Sequence, residues 1–434
     1  MRASRRQFLK TSAVAATGTV AWGGLQTSAS ARRILGANDR LNIACVGTAN
    51  RAAADIAGVK GENIVALCDV DETYLGLKAN EFPGAKTYRD FRRMLEQKDI
   101  DAVVVGTPDH THAIVAAAAL DGGRHVYCEK PLTRTVSETR RLRELAKRKG
   151  LATQMGNQIH AGANYRRVVE VVQSGAIGPV KEVHVWSGST YGHIEYPKEF
   201  PPMPPANLDW DLWHGPMAVK PYHPDFVPAK WRNWWHYGGG SLADFGCHYI
   251  DLPHWALDLR VPLTIEAIKG PKPDKERPPT ELAVKYEYPT RDAKPPVTLF
   301  WYQGGGHAPQ LPEKFEKEFR AGVLFVGEKG MLLSGYTKYH LLPEERFTGF
   351  VAPKPWIADS AGHHEEWIRA CKTGSPTLSN FDYAGALTEV VLLGNVAHRA
   401  GCKLEWDAAN LRAKNCRAAD EFLQHHYREG WKLT

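Results

Sequence analysis

The chain contains 434 residues, of which 43% are hydrophobic and 24% are charged, the composition of an ordinary globular protein. That length exceeds what one hydrophobic core organises, so we expect two domains. No apolar run reaches the roughly 18 to 20 residues needed to cross a bilayer, which argues against a membrane anchor. The net charge of +7 is not a nucleic-acid footprint, because four of the seven charges lie in residues 1–31 and only three remain for the rest of the chain.

The first 31 residues have the three parts of an export signal. The basic segment SRRQFLK at residues 4–10 precedes a mildly apolar stretch at 11–25 and small residues at 29–31. The basic segment resembles a twin-arginine signal, so we predict cleavage after Ala31 and a periplasmic or other extracytoplasmic location. Twin-arginine export carries folded proteins, commonly with a cofactor already inside.

Seven cysteines are present, without a CxxC pair. Cys45, Cys68 and Cys128 lie in apolar strand-like runs, where a thiol behaves as a small buried hydrophobe. We therefore expect most of the cysteines to be core thiols. A disulfide between Cys402 and Cys416 stays open at this point.

Residues 40–155 alternate short apolar runs with helical segments, which is typical of a parallel sheet covered on both faces. The predicted strands are at 41–46, 64–68, 102–105, 125–128 and 152–155, and the predicted helices are at about 51–58, 88–97, 112–122 and 137–149. With right-handed crossovers this order gives an α/β fold, a Rossmann doubly wound parallel sheet. A ligand of such a sheet lies at the carboxyl ends of the strands.

The first predicted strand runs into the sequence GTANRA at residues 47–52, where dinucleotide-binding folds carry GxGxxG. Gly47 keeps the first glycine, but Ala49 puts a methyl group where backbone and pyrophosphate usually approach each other. Asp69 ends the second strand 22 residues after Gly47, close to the spacing of the carboxylate that binds the adenosine ribose. That carboxylate would repel a 2′-phosphate, so the pattern favours NAD over NADP.

Residues 156–434 form the second predicted domain. A helix at 164–173 precedes a strand at 180–186, and alternating segments predict further strands at 263–269, 282–288, 297–302, 321–326 and 331–334. We therefore expect a C-terminal α+β domain with a large, mostly antiparallel sheet. One face of that sheet is expected to carry helices, and the other to meet a partner subunit in a homo-oligomer, a dimer or a tetramer.

The strongest chemical pattern is GGGSLADFGCHYIDLPH at residues 238–254, which predicts a helix after a glycine turn. Asp244 and His248 are four residues apart and therefore share one face of that helix. Oxidation of a carbinol needs a base for the hydroxyl proton, and a histidine beside a carboxylate meets that need. The alternative is an ordinary structural pair on a helix. Asp251, about one turn further, is a candidate to orient His248 or to bind substrate.

A metal site is a second interpretation of the same residues. Asp244 and His248, together with His254 or His160, offer oxygen and nitrogen ligands. No HExxH sequence is present, and the segment HHEE at residues 363–366 is typical of a helix start. We therefore predict no metal.

A long insert between Ser187 and Gly240 contains five tryptophans and nine prolines. Proline stiffens such a segment, and aromatic rings offer flat apolar faces on which sugar rings stack. We expect most of the tryptophans to anchor the insert, and Trp234 and Trp235 to reach substrate. The predicted partner is accordingly a small-molecule carbohydrate, with His160 and Asp251 as further substrate-binding residues.

Two more segments follow predicted strands: GTPDHTH at 106–112 and CEKPL at 128–132. Together with the loop at Gly47, the Asp69 turn and Asp244-xxx-His248, they resemble the Gfo/Idh/MocA family (glucose–fructose oxidoreductase, inositol dehydrogenase, rhizopine catabolism). The resemblance implies that Lys130 reaches the nicotinamide and the substrate hydroxyl, with Asp244 and His248 completing the catalytic group. It also implies cofactor contacts at Gly47, Ala49, Asn50, Arg51, Asp69, Thr107, Pro108, His112, Glu129, Lys130 and Asn157.

The resemblance implies an NAD-dependent oxidoreductase that acts on a carbohydrate hydroxyl. In this hypothesis His248 removes the hydroxyl proton, Lys130 stabilises the alkoxide and Asp244 orients the pair. Free NAD is scarce outside the cytoplasm, so a cofactor loaded before export is expected to stay tightly bound and to be regenerated in place. Two alternatives stay open: a redox-neutral NAD-dependent glycosidase, which returns the same hydride, and a non-catalytic carbohydrate-binding protein.

Overall fold

The computed structural model describes residues 39–292 and 294–433. The signal predicted for residues 1–31, with its cleavage site, lies outside the described residues and stays a prediction.

A six-stranded parallel sheet forms the first half of the described chain, in the order β3-β2-β1-β4-β5-β6. Its strands are β1 (Asn42–Val46), β2 (Asn63–Cys68), β3 (Lys86–Tyr88), β4 (Ala102–Val105), β5 (His125–Cys128) and β6 (Thr153–Met155). Its helices are α1 (Arg51–Val59), α2 (Glu72–Glu81), α3 (Phe91–Met94), α4 (Asp109–Asp121) and α5 (Val136–Lys149). The strand order reverses between β1 and β4, and such a reversal opens a crevice at the carboxyl edge of the sheet.

The predicted doubly wound fold is confirmed, but the sequence analysis missed two of its elements, strand β3 and helix α2. All residues of β4 and β5 are buried, because helices cover both faces, and this is why their apolar runs were readable in the sequence. Helix α2 buries only Leu75 and Lys78, so it has no apolar stripe to read. It is started instead by its N-cap, Asp71, whose side chain accepts hydrogen bonds from the amides of Thr73 and Tyr74.

The second half contains a nine-stranded sheet in the order β13-β12-β11-β7-β10-β9-β8-β14-β15. Its strands are β7 (Val180–Ser187), β8 (Thr264–Lys269), β9 (Leu282–Tyr288), β10 (Val297–Gln303), β11 (Ala321–Gly327), β12 (Met331–Ser334), β13 (Tyr339–Leu342), β14 (Leu404–Asp407) and β15 (Arg412–Ala413). The helices are α6 (Ala163–Gln173), α7 (Trp210–His214), α8 (Gly240–Tyr249), α9 (Asp251–Leu257), α10 (Glu313–Glu316), α11 (His363–Thr373), α12 (Phe381–Ala400) and α13 (Asp420–Leu423). Strands β7 and β10 pair in parallel, and the other neighbouring pairs are antiparallel, so the prediction of a mostly antiparallel sheet is confirmed.

Helices cover one face of this sheet, where α8 contacts β7 and β10, α9 contacts β11, and α12 contacts β8. Part of the other face is covered by residues 308–319, whose Leu311, Phe315 and Phe319 pack on Trp186 of β7. A partner subunit on that face stays a prediction. In the part of the chain that the structure describes, no helix is long and apolar enough to span a bilayer.

Cys402 and Cys416 form a disulfide, which ties the end of α12 to the segment after β15. The other cysteines are buried thiols, as the sequence predicts for most of them: Cys45, Cys68, Cys128, Cys247 and Cys371.

Candidate active site

A cavity of about 370 Å³ opens at the carboxyl edge of the parallel sheet. Most of the residues predicted to bind cofactor line it: Gly47, Ala49, Asn50, Arg51, Asp69, Thr107, Pro108, Glu129 and Lys130. These side chains follow four different strands, β1, β2, β4 and β5, whose carboxyl ends meet at this edge. The structure therefore brings together residues that lie far apart in the sequence.

The loop after β1 reaches the cavity with only one of the three usual glycines. A Cβ on Gly106 would lie 2.6 Å from the Cβ of Ala52, so the glycine that allows close packing sits on the neighbouring strand end rather than at position 52. The backbone turns at Gly47 (φ 87°) and Asn50 (φ 52°). The side chain of Asn50 does not cap α1, so the first amides of that helix are left for a ligand.

Asp69 marks the far end of the cavity. Its carboxylate accepts hydrogen bonds from the amide and hydroxyl of Thr48, both at 2.8 Å, and from the amide of Asp71 at 3.0 Å. These donors fix the carboxylate at the position where a nucleotide fold binds the adenosine ribose. An uncapped helix N-terminus and an anchored acid within one elongated cavity fit a dinucleotide.

A segment of the insert, residues 205–213, covers this end and is called the strap. Leu208 forms an antiparallel bridge with Asp71, the Glu72 amide donates to the Asn207 carbonyl at 2.8 Å, and the Asp209 amide donates to the Val70 carbonyl at 2.9 Å. The strap supplies five lining residues: Pro205, Asn207, Leu208, Leu212 and Trp213. It therefore forms a wall of the cavity over the Asp69 turn.

The C-terminal segment holds the strap in place. Arg428 donates to the carboxylate of Asp211 at 2.5 and 3.0 Å and to the Gly215 carbonyl at 2.7 Å. Trp431 lines the cavity beneath the guanidinium of Arg92, whose carbon lies 4.3 Å from a Trp431 ring centroid.

Lys130 and Asp244 meet at the other end. Lys130 follows β5, and its ammonium group donates to Asp244 Oδ1 and, at 3.2 Å, to the Asp244 carbonyl. Asp244 lies on α8, which begins after a glycine turn that packs tightly: a Cβ on Gly238 would lie 2.8 Å from the ring of Trp231. The family resemblance predicted that Lys130 and Asp244 lie close together, and the structure pairs them directly across 114 residues of sequence.

Two further side chains share the Asp244 carboxylate and were missed by sequence reasoning. Arg232 Nε donates to Oδ1 at 3.1 Å, and the Tyr191 hydroxyl donates to Oδ2 at 3.1 Å. Burial alone raises the pKa of Asp244, but Lys130 and Arg232 hold that pKa well below its ordinary value. The available signal was the position of Arg232 in WRNWW, which ends two residues before the glycine turn.

His248 lies one turn after Asp244 but does not hydrogen-bond to it among the described contacts, so the expected Asp244–His248 pairing is replaced by Asp244–Lys130. Burial and the nearby Lys130 ammonium together lower the pKa of His248 to about 3, so the ring is neutral near pH 7. Its Nδ1 is buried without a partner in the described chain. The ring therefore keeps an unused polar atom close to the ion cluster.

Asp109 is a third residue that sequence reasoning missed. It starts α4, lines the cavity, and accepts a hydrogen bond from the Gly239 amide at 3.3 Å. Burial raises the pKa of Asp109 and Arg232 lowers it, and the net result is a pKa of about 7. Its position at the carboxyl end of β4 was the signal that could have found it.

Six predicted site residues do not line the cavity: His112, Asn157, His160, Asp244, His248 and Asp251. The ring nitrogens of His112 lie 2.8 and 2.7 Å from the carbonyl oxygens of Pro131 and Thr107, and Asn157 accepts from the Ser379 hydroxyl at 2.6 Å. His160 Nδ1 lies 2.9 Å from Asp251 Oδ2. Asp251 therefore pairs with His160, not with His248.

Trp234 and Trp235 are also not at the cavity. Trp234 packs in an aromatic cluster with Phe226 and Tyr237 and donates to the Asp225 carbonyl at 2.7 Å. Trp235 is buried and donates to the Asp274 carbonyl at 3.1 Å. Both indoles anchor the insert, because a buried N–H needs an acceptor and each has found one in the backbone. Trp231 and Trp213 line the cavity instead.

The fold and the site together define a dinucleotide-binding oxidoreductase, and the comparisons with known proteins agree. A family described as "Oxidoreductase family, NAD-binding Rossmann fold" matches residues 41–157, and the "C-terminal alpha/beta domain" of the same family matches residues 161–290. The chain belongs to the Gfo/Idh/MocA oxidoreductase family, and its first domain is an NAD-binding Rossmann domain.

Individual relatives match this chain at low identity or over only part of its length. The chain is 28% identical over 173 residues to inositol 2-dehydrogenase of Salmonella paratyphi B, covering 38% of this chain and 52% of that protein. It is 36% identical over 109 residues to levoglucosan dehydrogenase of Pseudarthrobacter phenanthrenivorans, covering 24% and 26%. The chain thus matches about half or less of the length of these relatives. GenD2 from gentamicin A biosynthesis, solved in complex with NAD, has a TM-score of 0.60 at 18% identity, covering 90% of this chain and 100% of that one, and shows the shared fold.

Proposed function

We propose that this protein is an NAD-dependent oxidoreductase that oxidises a hydroxyl group of a carbohydrate and retains its cofactor between turnovers. One observation carries the proposal: Lys130, which is paired with Asp244, lines the same cavity as the uncapped N-terminus of α1 and the Asp69 turn. A proton-handling pair is thus placed within reach of a bound dinucleotide. The names of inositol 2-dehydrogenase and levoglucosan dehydrogenase support the carbohydrate class.

The chain's own residues would divide the work at the reacting carbon. Bound NAD supplies the hydride acceptor. The Lys130 ammonium stabilises the negative charge that develops on the substrate oxygen, and Asp244 positions Lys130 rather than His248. His248 is assigned to accept the hydroxyl proton, because its ring is neutral near pH 7 and its Nδ1 has no partner among the described residues.

The strap supports the retention of the cofactor. Residues 205–213 pair with the backbone at residues 70–72 and are themselves held by Arg428, so a nucleotide at Asp69 leaves only after these contacts open. The proposed export of this protein to an oxidising compartment is supported by the Cys402–Cys416 disulfide, because disulfides persist in such compartments.

The test starts by denaturing the purified mature protein and identifying the released nucleotide. Glycosides and free sugars are then screened while cofactor absorbance and product identity are followed. We expect NAD to copurify and persist through dialysis, and an oxidised sugar to appear without added NAD when a second substrate reoxidises the cofactor. Recovery of NADP, or of no nucleotide together with no NAD binding, contradicts the proposal. Release of aglycone without net oxidation favours the glycosidase, and sugar binding without turnover favours a binding protein.

A separate variant tests whether the strap retains NAD. Arg428→Ala removes the contacts to Asp211 and Gly215, and we expect faster loss of NAD on dialysis, by about fivefold for one partly exposed ion pair. Lys432→Ala is the matched control, since Lys432 is exposed and four residues away. Equal NAD loss from both variants would show that the strap does not retain the nucleotide.

A further inference from the structure

Arg232 brings a second cation to the Lys130 end of the cavity. Its Nε donates to Asp244 Oδ1 at 3.1 Å, and its guanidinium carbon lies 4.2 Å from a ring centroid of Trp231. The side chain is 22% exposed and lines the cavity. One hydrogen bond and one aromatic face therefore fix the plane and direction of this guanidinium.

Most of the donors of Arg232 are unused. A guanidinium carries five N–H groups, and Nε alone has an acceptor among residues 39–292 and 294–433. Nη1 and Nη2 of Arg232 are not among the buried polar atoms that lack a partner, so both can be reached from the cavity. Four N–H donors, two each on Nη1 and Nη2, are therefore left to bind a ligand that enters the cavity.

The charges at this end do not balance. Lys130 and Arg232 are both cationic and converge on one oxygen of Asp244. The buried Asp109 compensates only in part near neutral pH, since burial raises its pKa to about 7, and His248 is neutral there. The excess is positive, and oxidised nicotinamide would add to it. A partly desolvated surplus of one sign is costly unless a ligand supplies the opposite charge.

We propose that Arg232 is a specificity-determining residue that binds a carboxylate of the substrate, so that the carbohydrate oxidised is a sugar acid of the uronate class. The proposal rests on the proposed function and narrows its substrate. A planar fork with two parallel donors matches the two oxygens of a carboxylate, whereas a neutral hydroxymethyl group satisfies one donor at most. Lys130 then remains free for the reacting oxygen.

The test compares matched substrates on the NAD-loaded enzyme: glucuronate with glucose, and methyl glucuronoside with methyl glucoside. We expect kcat/KM to favour the acid by about 10- to 100-fold, the range of one charge-assisted hydrogen-bonded contact. Arg232→Gln should remove that preference mainly by raising KM for the acid, and Arg232→Lys should restore part of it. Arg232 also contacts Asp244, so both variants are expected to lower kcat for either sugar. The ratio between acid and neutral sugar is the readout that a purely structural role would not change.

Lys230→Gln is the matched control, because it removes one positive charge from the same turn. Lys230 is 51% exposed, pairs with Asp225 and does not line the cavity. It should leave the ratio unchanged. An equal loss of preference in Lys230→Gln and Arg232→Gln would overturn the proposal, because the effect would then be general charge rather than a contact.

Calorimetric titration of glucuronate into the NAD-loaded protein separates this proposal from the proposed function. Tight binding by the wild type and loss in Arg232→Gln support the carboxylate contact even when no sugar is turned over. Equal binding by both proteins overturns it. Loss of NAD from Arg232→Gln with an unchanged preference for the acid places Arg232 on the cofactor and also overturns it. Turnover of neutral sugars with no preference for acids leaves the oxidoreductase standing and removes this inference alone.

Discussion

The two ends of the cavity are built in opposite ways. At the Lys130 end, three side chains from different segments, Lys130, Tyr191 and Arg232, converge on the single carboxylate of Asp244. At the Asp69 end, the carboxylate is held by nearby backbone amides and the hydroxyl of Thr48, and the strap adds backbone pairing. The comparison teaches where single substitutions act: charge chemistry depends on a few ions, whereas nucleotide binding is spread over the main chain.

Lys130→Ala tests the reaction end and carries the largest expected effect. We expect kcat to fall by about 1,000-fold, because positioned acid–base and electrostatic groups contribute on this scale. The variant should fold, since Asp244 keeps Arg232 and Tyr191 as partners. NAD content, measured after denaturation, should match the wild type. Near-normal turnover would show that the chemistry lies elsewhere.

Asp109→Asn tests the charge balance at the same end of the cavity, through the pH dependence of stability. Burial raises the pKa of Asp109 to about 7 from an ordinary 3.8, so its contribution to stability is fully present below pH 3.8 and is lost as pH rises through 7. The neutral amide mimics the protonated acid. The variant should therefore gain stability relative to the wild type between pH 5 and pH 8, by at most about 3 kcal/mol at 1.36 kcal/mol per pH unit.

Thermal unfolding of both proteins at the two pH values checks this, because the difference between them cancels all other titrating groups. An unchanged difference across that range would mean that Asp109 is ionised throughout. The cation excess at Lys130 and Arg232 would then be smaller than the structure indicates.

Asp69→Ala tests the nucleotide end. The Kd for NAD should rise by about 10- to 100-fold, the value of hydrogen bonds to a charged acceptor, while kcat at saturating NAD changes little. Calorimetry on nucleotide-free protein gives the Kd, and Asp69→Asn keeps the shape without the charge. If Asp69→Ala instead lowers kcat as strongly as Lys130→Ala, the functional division between the two ends fails.

The sequence predicted five of the six strands of the parallel sheet to within one residue at each end, because strands such as β4 and β5 are buried and uninterrupted, but it missed the partly exposed β3. It also paired Lys130 with the Asp244 helix through family motifs. It could not find Arg232 or the strap, since neither has a periodic pattern and both depend on where a long insert folds back. It placed Trp234 and Trp235 at substrate because indoles stack on sugars, but a buried indole N–H is equally satisfied by a backbone carbonyl, as both of these are.

Asn50→Gly has the smallest expected effect and tests how the loop after β1 manages with one glycine. Asn50 has φ 52° and ψ −119°, a region that favours glycine, so the native side chain holds the backbone at a cost of about 1 kcal/mol. Glycine removes this strain but adds about 0.5 to 1 kcal/mol of unfolded-state entropy, so denaturant unfolding should show a net change below about 1 kcal/mol. Asn50→Ala keeps a Cβ without the polar group and should be less stable than both the wild type and Asn50→Gly.

The affinity for NAD then separates two roles of Asn50. Unchanged affinity in Asn50→Gly means that the backbone alone meets the pyrophosphate, whereas a weaker affinity at equal stability assigns the side chain a contact of its own. If glycine instead destabilises the protein by more than alanine does, the strain at Asn50 is not what limits this loop.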